Sequence, residues 1–207
     1  MELRDKDGLT EAEFLAAYRP GDYPHPSVTA DVLVFDRQGD ALRRLLIRRG
    51  GHPYLGCWAL PGGFSNPDEN VDACAARELE EETHLTGQTL VPVGFFSDPG
   101  RDPRCWTMTR AYMTLVEGET PQPQADDDAQ AADWFTVTAR RTGDELHIRL
   151  TNGEETLTAR LRVAEQQTAA GVALSVTILE QEGLAFDHGK IIATALLRLE
   201  QNGVTIC

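Results

Sequence analysis

Three carboxylates crowd one short stretch of the chain: Glu78, Glu81 and Glu82. At about 100° per residue they fall within an arc of roughly 100° on a helix, while Glu80 points elsewhere. Like charges gathered on one face repel each other unless a divalent cation sits among them. An all-oxygen donor set suits magnesium or manganese. Magnesium keeps several waters and takes carboxylates together with substrate phosphates. That combination fits hydrolysis of a phosphoanhydride, where the ion neutralises phosphate charge and helps generate hydroxide. A glutamate cluster alone is more often a solvated helix face, so the residues around it must decide.

Upstream lies the turn Leu60-Pro61-Gly62-Gly63, followed by Phe64-Ser65-Asn66-Pro67-Asp68-Glu69 and then by the helix that ends in Arg77-Glu78-Leu79-Glu80-Glu81-Glu82-Thr83-His84-Leu85. Val71, Ala75 and Leu79, four apart, form an apolar stripe that can anchor this helix to a sheet. The whole window resembles the Nudix box, G-x5-E-x7-R-E-U-x-E-E-x-G-U with U a bulky aliphatic. Gly63, Glu69, Arg77, Glu78, Leu79, Glu81, Glu82 and Leu85 match, and His84 stands where the family has Gly. The resemblance implies a catalytic group of Glu78, Glu81, Glu82 and Arg77. In it the three glutamates are metal carboxylates, Gly62 is a backbone-carbonyl ligand, and Mg2+ or Mn2+ is the cofactor. It also implies structural roles for Gly63 and for Glu69, the latter as the partner of Arg77. If position 84 needs a positive φ, His carries more strain there than Gly, although it is among the more tolerant residues. Gly87 can relieve part of that turn.

The likeness extends past the box. Tyr23-Pro24-His25-Pro26-Ser27-Val28-Thr29-Ala30-Asp31 resembles the entry strand of a bacterial Nudix branch. Leu184-Ala185-Phe186-Asp187-His188-Gly189-Lys190-Ile191-Ile192 resembles its final helix, and Ser97-Asp98-Pro99-Gly100-Arg101-Asp102-Pro103-Arg104 one of its loops. That branch holds ADP-ribose pyrophosphatases and regulators of nicotinamide-cofactor synthesis. Guanidinium forks bind phosphate bidentately, so Arg101 and Arg104 are candidates to grip a diphosphate. The alternative is that Asp98 and Asp102 pair with them as loop scaffolding. Asp127 and Asp128 are candidates for a distal acid that binds metal or orients water, against solvated loop charge. Trp58, Trp106 and Phe96 can stack on a base, although core packing is favoured for each. His25, His52, His147 and His188 show no zinc spacing, and Cys74 and Cys105 read as small apolar groups.

The elements that must position these groups are legible from periodicity. Residues 10–18 read as a short helix with Thr10 as N-cap and Glu13 completing a capping box. Val28–Phe35 and Leu42–Arg49 read as a hairpin through residues 36–40. Gly56–Leu60 reads as a short strand stopped by Pro61-Gly62-Gly63. Residues 70–83 are the carboxylate helix; Val91–Phe96, Trp106–Val116 and Ala132–Thr138 are further strands. Phe186–Gln201 is a closing amphipathic helix. Between them, 139–183 lies outside the Nudix pattern. Three period-2 runs around Leu146–Leu150, Leu157–Val163 and Leu174–Ile178 predict three antiparallel strands, each with one apolar face that something must cover. The expected architecture is α/β: a single domain over 1–207, a Nudix α/β/α sandwich with a mixed sheet and a β-rich insert before the C-terminal helix.

With 19 basic and 33 acidic residues the formal charge is −14. This disfavours nucleic acid as a partner, while a small anionic nucleoside-diphosphate compound remains accessible through bound metal. Four cysteines without a C-x-x-C pair, no secretory h-region and no long apolar run point to a cytoplasmic protein with no membrane segment. The chain stops at Cys207, just past the closing helix, with no room there for a DNA-reading winged helix. The expectation is therefore an ADP-ribose-like diphosphatase. A non-catalytic ADP-ribose sensor and a nucleoside-triphosphate sanitising pyrophosphatase are the alternatives. The resemblance also implies a homodimer.

Overall fold

The computed structural model describes residues 2–116, 129–169 and 171–204. Helix α1 (Glu11–Ala17) opens with the capping box: the Thr10 hydroxyl accepts the Glu13 N–H, and the Glu13 carboxylate accepts the Thr10 N–H. Strands β1 (Ser27–Gln38) and β2 (Ala41–Arg49) pair from Gln38↔Ala41 back to Phe35↔Arg44. The turn is tighter than the five-residue link expected, because Gly39 takes a positive φ of 59° and lets the ladder close immediately.

Beyond Phe35 the two strands splay apart, and this shapes the site. Into the wedge runs Trp58–Phe64. Strand β3 (Trp58–Ala59) pairs with β2, and strand β4 (Gly62–Phe64) turns back to pair with Asp31-Ala30-Thr29 of β1. The glycines read as a strand stop are thus themselves a strand. With no Cβ at position 62, the backbone lies directly on β1; an added Cβ would collide with the Ala30 carbonyl oxygen.

Helix α2 (Val71–Thr83), strands β5 (Val91–Phe96), β6 (Thr107–Leu115), β7 (Ala129–Thr142), β8 (Glu145–Thr151), β9 (Thr156–Thr168) and β10 (Gly171–Glu182), and helix α3 (His188–Gln201) follow. The sheet order is β10-β9-β8-β7-β2-β1-β6-β5. Strands β1 and β6 are parallel and the other neighbours along this path antiparallel, so the sheet is mixed. Alternation along β1 sends Leu33 and Phe35 to a core shared with α3, and Ala30, Val32 and Val34 to a core shared with Cys74, Ala75 and Leu79 of α2. One helix therefore covers each face. The three strands expected between 139 and 183 are present, but their boundary is not a break: β7 runs on through Thr142, and β8–β10 extend the same sheet. Their apolar face, including Ile148, Leu150, Leu161 and Val176, joins Ile191, Leu196 and Leu199 of α3 in one buried cluster.

Candidate active site

The wedge opens into a cavity of about 780 Å³. Its walls come from β1 (Thr29, Asp31), β2 (Ile47, Arg49), the Ala59–Phe64 turn, α2 (Glu78, Glu82), the loop after β5 (Arg101, Asp102, Arg104), and the entry to α3 (Phe186, His188).

Helix α2 begins at Asn70, whose side chain accepts the Ala73 N–H, and ends at His84, whose φ of 58° is left-handed and whose N–H reaches the Glu80 carbonyl. Its buried stripe of Cys74, Ala75 and Leu79 seats it on the sheet. That seating turns Glu78 and Glu82 into the cavity. Glu82 accepts the Gly62 N–H at 2.7 Å, and burial pushes its carboxyl up to about 8 against that hydrogen bond. Burial also raises Glu78, with Arg77 opposing. Glu78 folds against Gly63, where an added Cβ would lie 2.5 Å from both carboxylate oxygens. Arg77 ties the box together. It donates to Glu69 through Nε (3.1 Å) and Nη2 (2.6 Å), to Glu78 (2.7 Å) and Glu81 (2.8 Å) through Nη1, and to the Phe64 carbonyl (3.0 Å). Those hydrogen bonds hold the Glu69 carboxyl down at about 2. Glu81 is half exposed, paired with Arg77, and off the cavity wall.

Behind the acidic wall lies a buried polar layer of which sequence reasoning had singled out only Arg101. Asp31 accepts from the Thr109 hydroxyl at 2.7 Å, and burial moves its carboxyl up to about 6. Its Oδ1 lies 3.7 Å from His188 Nε2. The His188 Nδ1 accepts the Leu60 N–H at 2.9 Å, which places the ring proton on Nε2. Burial, followed by the nearby Arg101, Arg44 and Arg49, keeps this imidazole neutral. Arg101 lies here as well. Its side chain is 4% exposed and donates to Asp187 through Nε (3.0 Å) and Nη2 (2.6 Å), locking the loop to the start of α3. The sequence signals for this layer were the matches of residues 23–31 and 184–192 to family elements, which named no roles, and the loop in which Arg101 was expected to grip a diphosphate rather than Asp187.

At the rim, Arg104 donates to buried Asp102 (2.7 Å through Nη2) and lies over the rings of Phe64 (4.9 Å) and Phe186 (5.5 Å). Arg49 lies over Phe186 from 5.0 Å. Asp98 pairs with Lys190 rather than with either loop arginine. Trp58 and Phe96 are core residues and Trp106 is exposed at the foot of β6, so the aromatic groups at the cavity are Phe64 and Phe186 instead. Asp127 and Asp128 lie outside the described residues.

The donor chemistry fits a hard divalent cation. Glu78 and Glu82 offer oxygen only, line one wall together, and are costly to ionise there without a cation. Gly63 leaves the space in which the Glu78 carboxylate sits. Among the described residues no three acidic, histidine or cysteine side chains already converge on one point, and Glu81 is paired with Arg77 at 2.8 Å.

A family model described as the NUDIX domain matches residues 25–161. The ADPR responsive transcriptional repressor NtrR of Acinetobacter baylyi is 37% identical over 130 residues, 62% of this chain and 52% of its own length. An ADP-ribose pyrophosphatase of Methanocaldococcus jannaschii is 36% identical over 116 residues, 56% of this chain and 64% of its own. The chain thus spans between half and two thirds of these curated relatives. Among solved structures, a MutT/nudix family protein from Enterococcus faecalis superposes with a TM-score of 0.73 at 34% identity, covering 93% of this chain and 70% of that one. The NUDIX domain of Shewanella oneidensis NrtR, in a cocrystal with ADP ribose, gives 0.55 at 32% identity, covering 61% of this chain and 82% of that one.

Proposed function

The chain belongs to the NUDIX family, and from that premise we propose that it hydrolyses the diphosphate linkage of an ADP-ribose-like nucleoside-diphosphate compound in a reaction dependent on Mg2+ or Mn2+. The observation that carries this reading is the two-signed cavity. The acidic Glu78, Glu82 and Asp31 and the basic Arg49 and Arg104 line it together. A diphosphate joined at both ends to neutral groups is the ligand that needs cations on every side: guanidinium forks from the protein and a metal held by the carboxylates.

When bound at Glu78 and Glu82, with Glu81 and the Gly62 carbonyl as further ligands, the cation would neutralise phosphate charge and acidify the attacking water. The chain supplies the rest. Arg77 fixes the loop and helix ends of the box in one orientation. The Gly62 N–H orients the Glu82 carboxylate. Arg104, held in place by Asp102, and Arg49, from β2, line the cavity where the phosphates would lie. Arg101 contributes by fixing the loop through Asp187. Asp127 and Asp128 remain candidates for the distal acid that orients water. The products are two monophosphates, AMP and ribose phosphate if the substrate is ADP-ribose.

The test is a substrate panel with Mg2+ or Mn2+: ADP-ribose, NADH, diadenosine polyphosphates, nucleotide sugars and nucleoside triphosphates. Turnover of ADP-ribose, abolished by a chelator, supports the reading; preference for triphosphates moves the substrate. A second reading rests on the repressor relative: an ADP-ribose sensor. Tight ADP-ribose binding with no turnover of any panel member would favour it.

A further inference from the structure

We propose that Asp31 and His188 bind a hydroxyl of a sugar esterified to the second phosphate of the substrate. This deepens the nucleoside-diphosphate reading above, on which it rests, and makes the preferred class nucleoside-diphosphate sugars over nucleoside triphosphates. The two residues come from β1 and from the first position of α3, and both line the cavity. Strand alternation places Asp31 on the α3 side of the sheet with Leu33 and Phe35, opposite the α2 side that carries the box glutamates. Its Oδ2 accepts from the Thr109 hydroxyl at 2.7 Å, with Arg101 Nη2 3.8 Å away. That leaves Oδ1 without a hydrogen bond among the described residues. His188 is the complement. Its Nδ1 accepts the Leu60 N–H, so Nε2 carries the proton and has no acceptor in bonding range among the described residues.

The unused donor and the unused acceptor lie 3.7 Å apart. That is too long for a hydrogen bond between them, and it suits two bonds of about 2.8 Å to one shared oxygen. A hydroxyl oxygen accepts from Nε2 and donates to Oδ1, so it satisfies both groups. An ionised phosphate oxygen only accepts, and it would meet the Asp31 carboxylate as a like charge. The lack of a Cβ at Gly62 keeps the approach to Oδ1 clear; a Cβ there would lie 3.0 Å from it. The Asp31 and His188 side chains are 10% and 5% exposed, which leaves room for the end of a sugar and not for a base. A site built to hydrogen-bond a hydroxyl rejects a ligand without one, because its buried polar groups then stay unpaired.

The test is calorimetry at saturating Mg2+ with two ligands of equal charge, α,β-methylene ADP-ribose and the β-methyl ester of α,β-methylene ADP. The bridging carbon blocks cleavage of both, and only the first carries a sugar on its second phosphate. Wild type is expected to bind the sugar-bearing ligand at least about tenfold more tightly, the lower part of what hydrogen bonds to a charged group contribute. Asp31→Leu, similar in shape and without an acceptor, should bring the ratio of the two affinities below about threefold. The ratio is the readout because a general weakening of binding acts on both ligands alike. Should Asp31→Leu not fold, nitrogen–proton NMR of His188 in wild type decides. Its Nε2–H resonance should move downfield with the sugar-bearing ligand and not with the methyl ester, and the same response to both overturns the assignment. A wild-type ratio near one, as a pair that holds only a water molecule would give, also overturns it. So does an unchanged ratio in Asp31→Leu, or no binding of either ligand at millimolar concentration. ADP-ribose turnover with a ratio near one overturns this assignment alone. An Asp31-dependent ratio without turnover of any diphosphate overturns the hydrolytic reading alone.

Discussion

Gly62 and Gly63 are adjacent glycines with different reasons to be glycine. At 62 a Cβ would strike the β1 backbone; at 63 it would strike the carboxylate of Glu78. Gly63→Ala should therefore fold, yet lose kcat by at least about tenfold, because a displaced metal ligand costs activity before stability; a normal kcat measured at saturating Mg2+ would refute this. Glu82 has a pH signature. Its folded pKa of about 8 lies above its ordinary value of 4.5, so its contribution favours folding when protonated and is lost as pH rises toward and through 8. Metal-free protein should lose thermal stability between pH 5 and pH 9, and Glu82→Gln should flatten that fall. Mg2+, which needs the carboxylate ionised, should stabilise wild type far more at pH 9 than at pH 5. Glu82→Gln should also lower kcat by at least about a hundredfold; pH-independent melting with unaltered turnover would sink both claims. At this scale the box glutamates were readable because helical spacing is local. Asp31, Arg49, Phe186 and His188 were not, because each is an ordinary strand or helix-end residue until long-range pairing gathers them.

Helices and strands were largely legible in type, since the hydrophobic periods of α2, α3 and β1–β2 are unambiguous. Their ends were less so. The Pro61-Gly62-Gly63 stretch reads as punctuation, and only its pairing with β1 makes Gly62–Phe64 a strand. The cap of α2 is the converse case. A residue out of pattern, His84, stands at the box glycine position with a left-handed φ of 58°. His84→Gly should raise unfolding free energy by about 1 kcal/mol with kcat within about twofold, which chemical denaturation and a rate assay check together. The loop after β5 separates two arginines that look alike in sequence. Removing one partner of a buried pair costs about 3–5 kcal/mol, so Arg101→Ala should destabilise by that order through stranded Asp187. Arg104→Ala, at the rim, should mainly raise KM. A stable Arg101→Ala whose only defect is KM would reverse the two roles.

At the scale of the molecule, period-2 alternation disclosed strands β8–β10 but not their place. Alternation says one face is apolar and is silent about which helix covers it. The answer is α3, which starts at His188 on the cavity wall with Asp187 as its N-cap, while Gln181 of β10 holds the Phe186 carbonyl. The family match to residues 25–161 takes in β8 and the start of β9, so the expected boundary at 139 does not hold, and β8–β10 are coupled to the site through a shared core. Leu161→Ala, at a fully buried position of β9, should cost about 2–5 kcal/mol, and a melting midpoint equal to wild type would show that β8–β10 unfold separately from the rest. The account as a whole stands on the two-signed cavity acting on a diphosphate. The most direct measurement follows ADP-ribose by phosphorus NMR with the protein and Mg2+. The predicted result is replacement of the diphosphate resonances by those of two monophosphates, AMP and ribose 5-phosphate, stopped by chelator. Unchanged diphosphate resonances, with ADP-ribose shown to be bound, would contradict it.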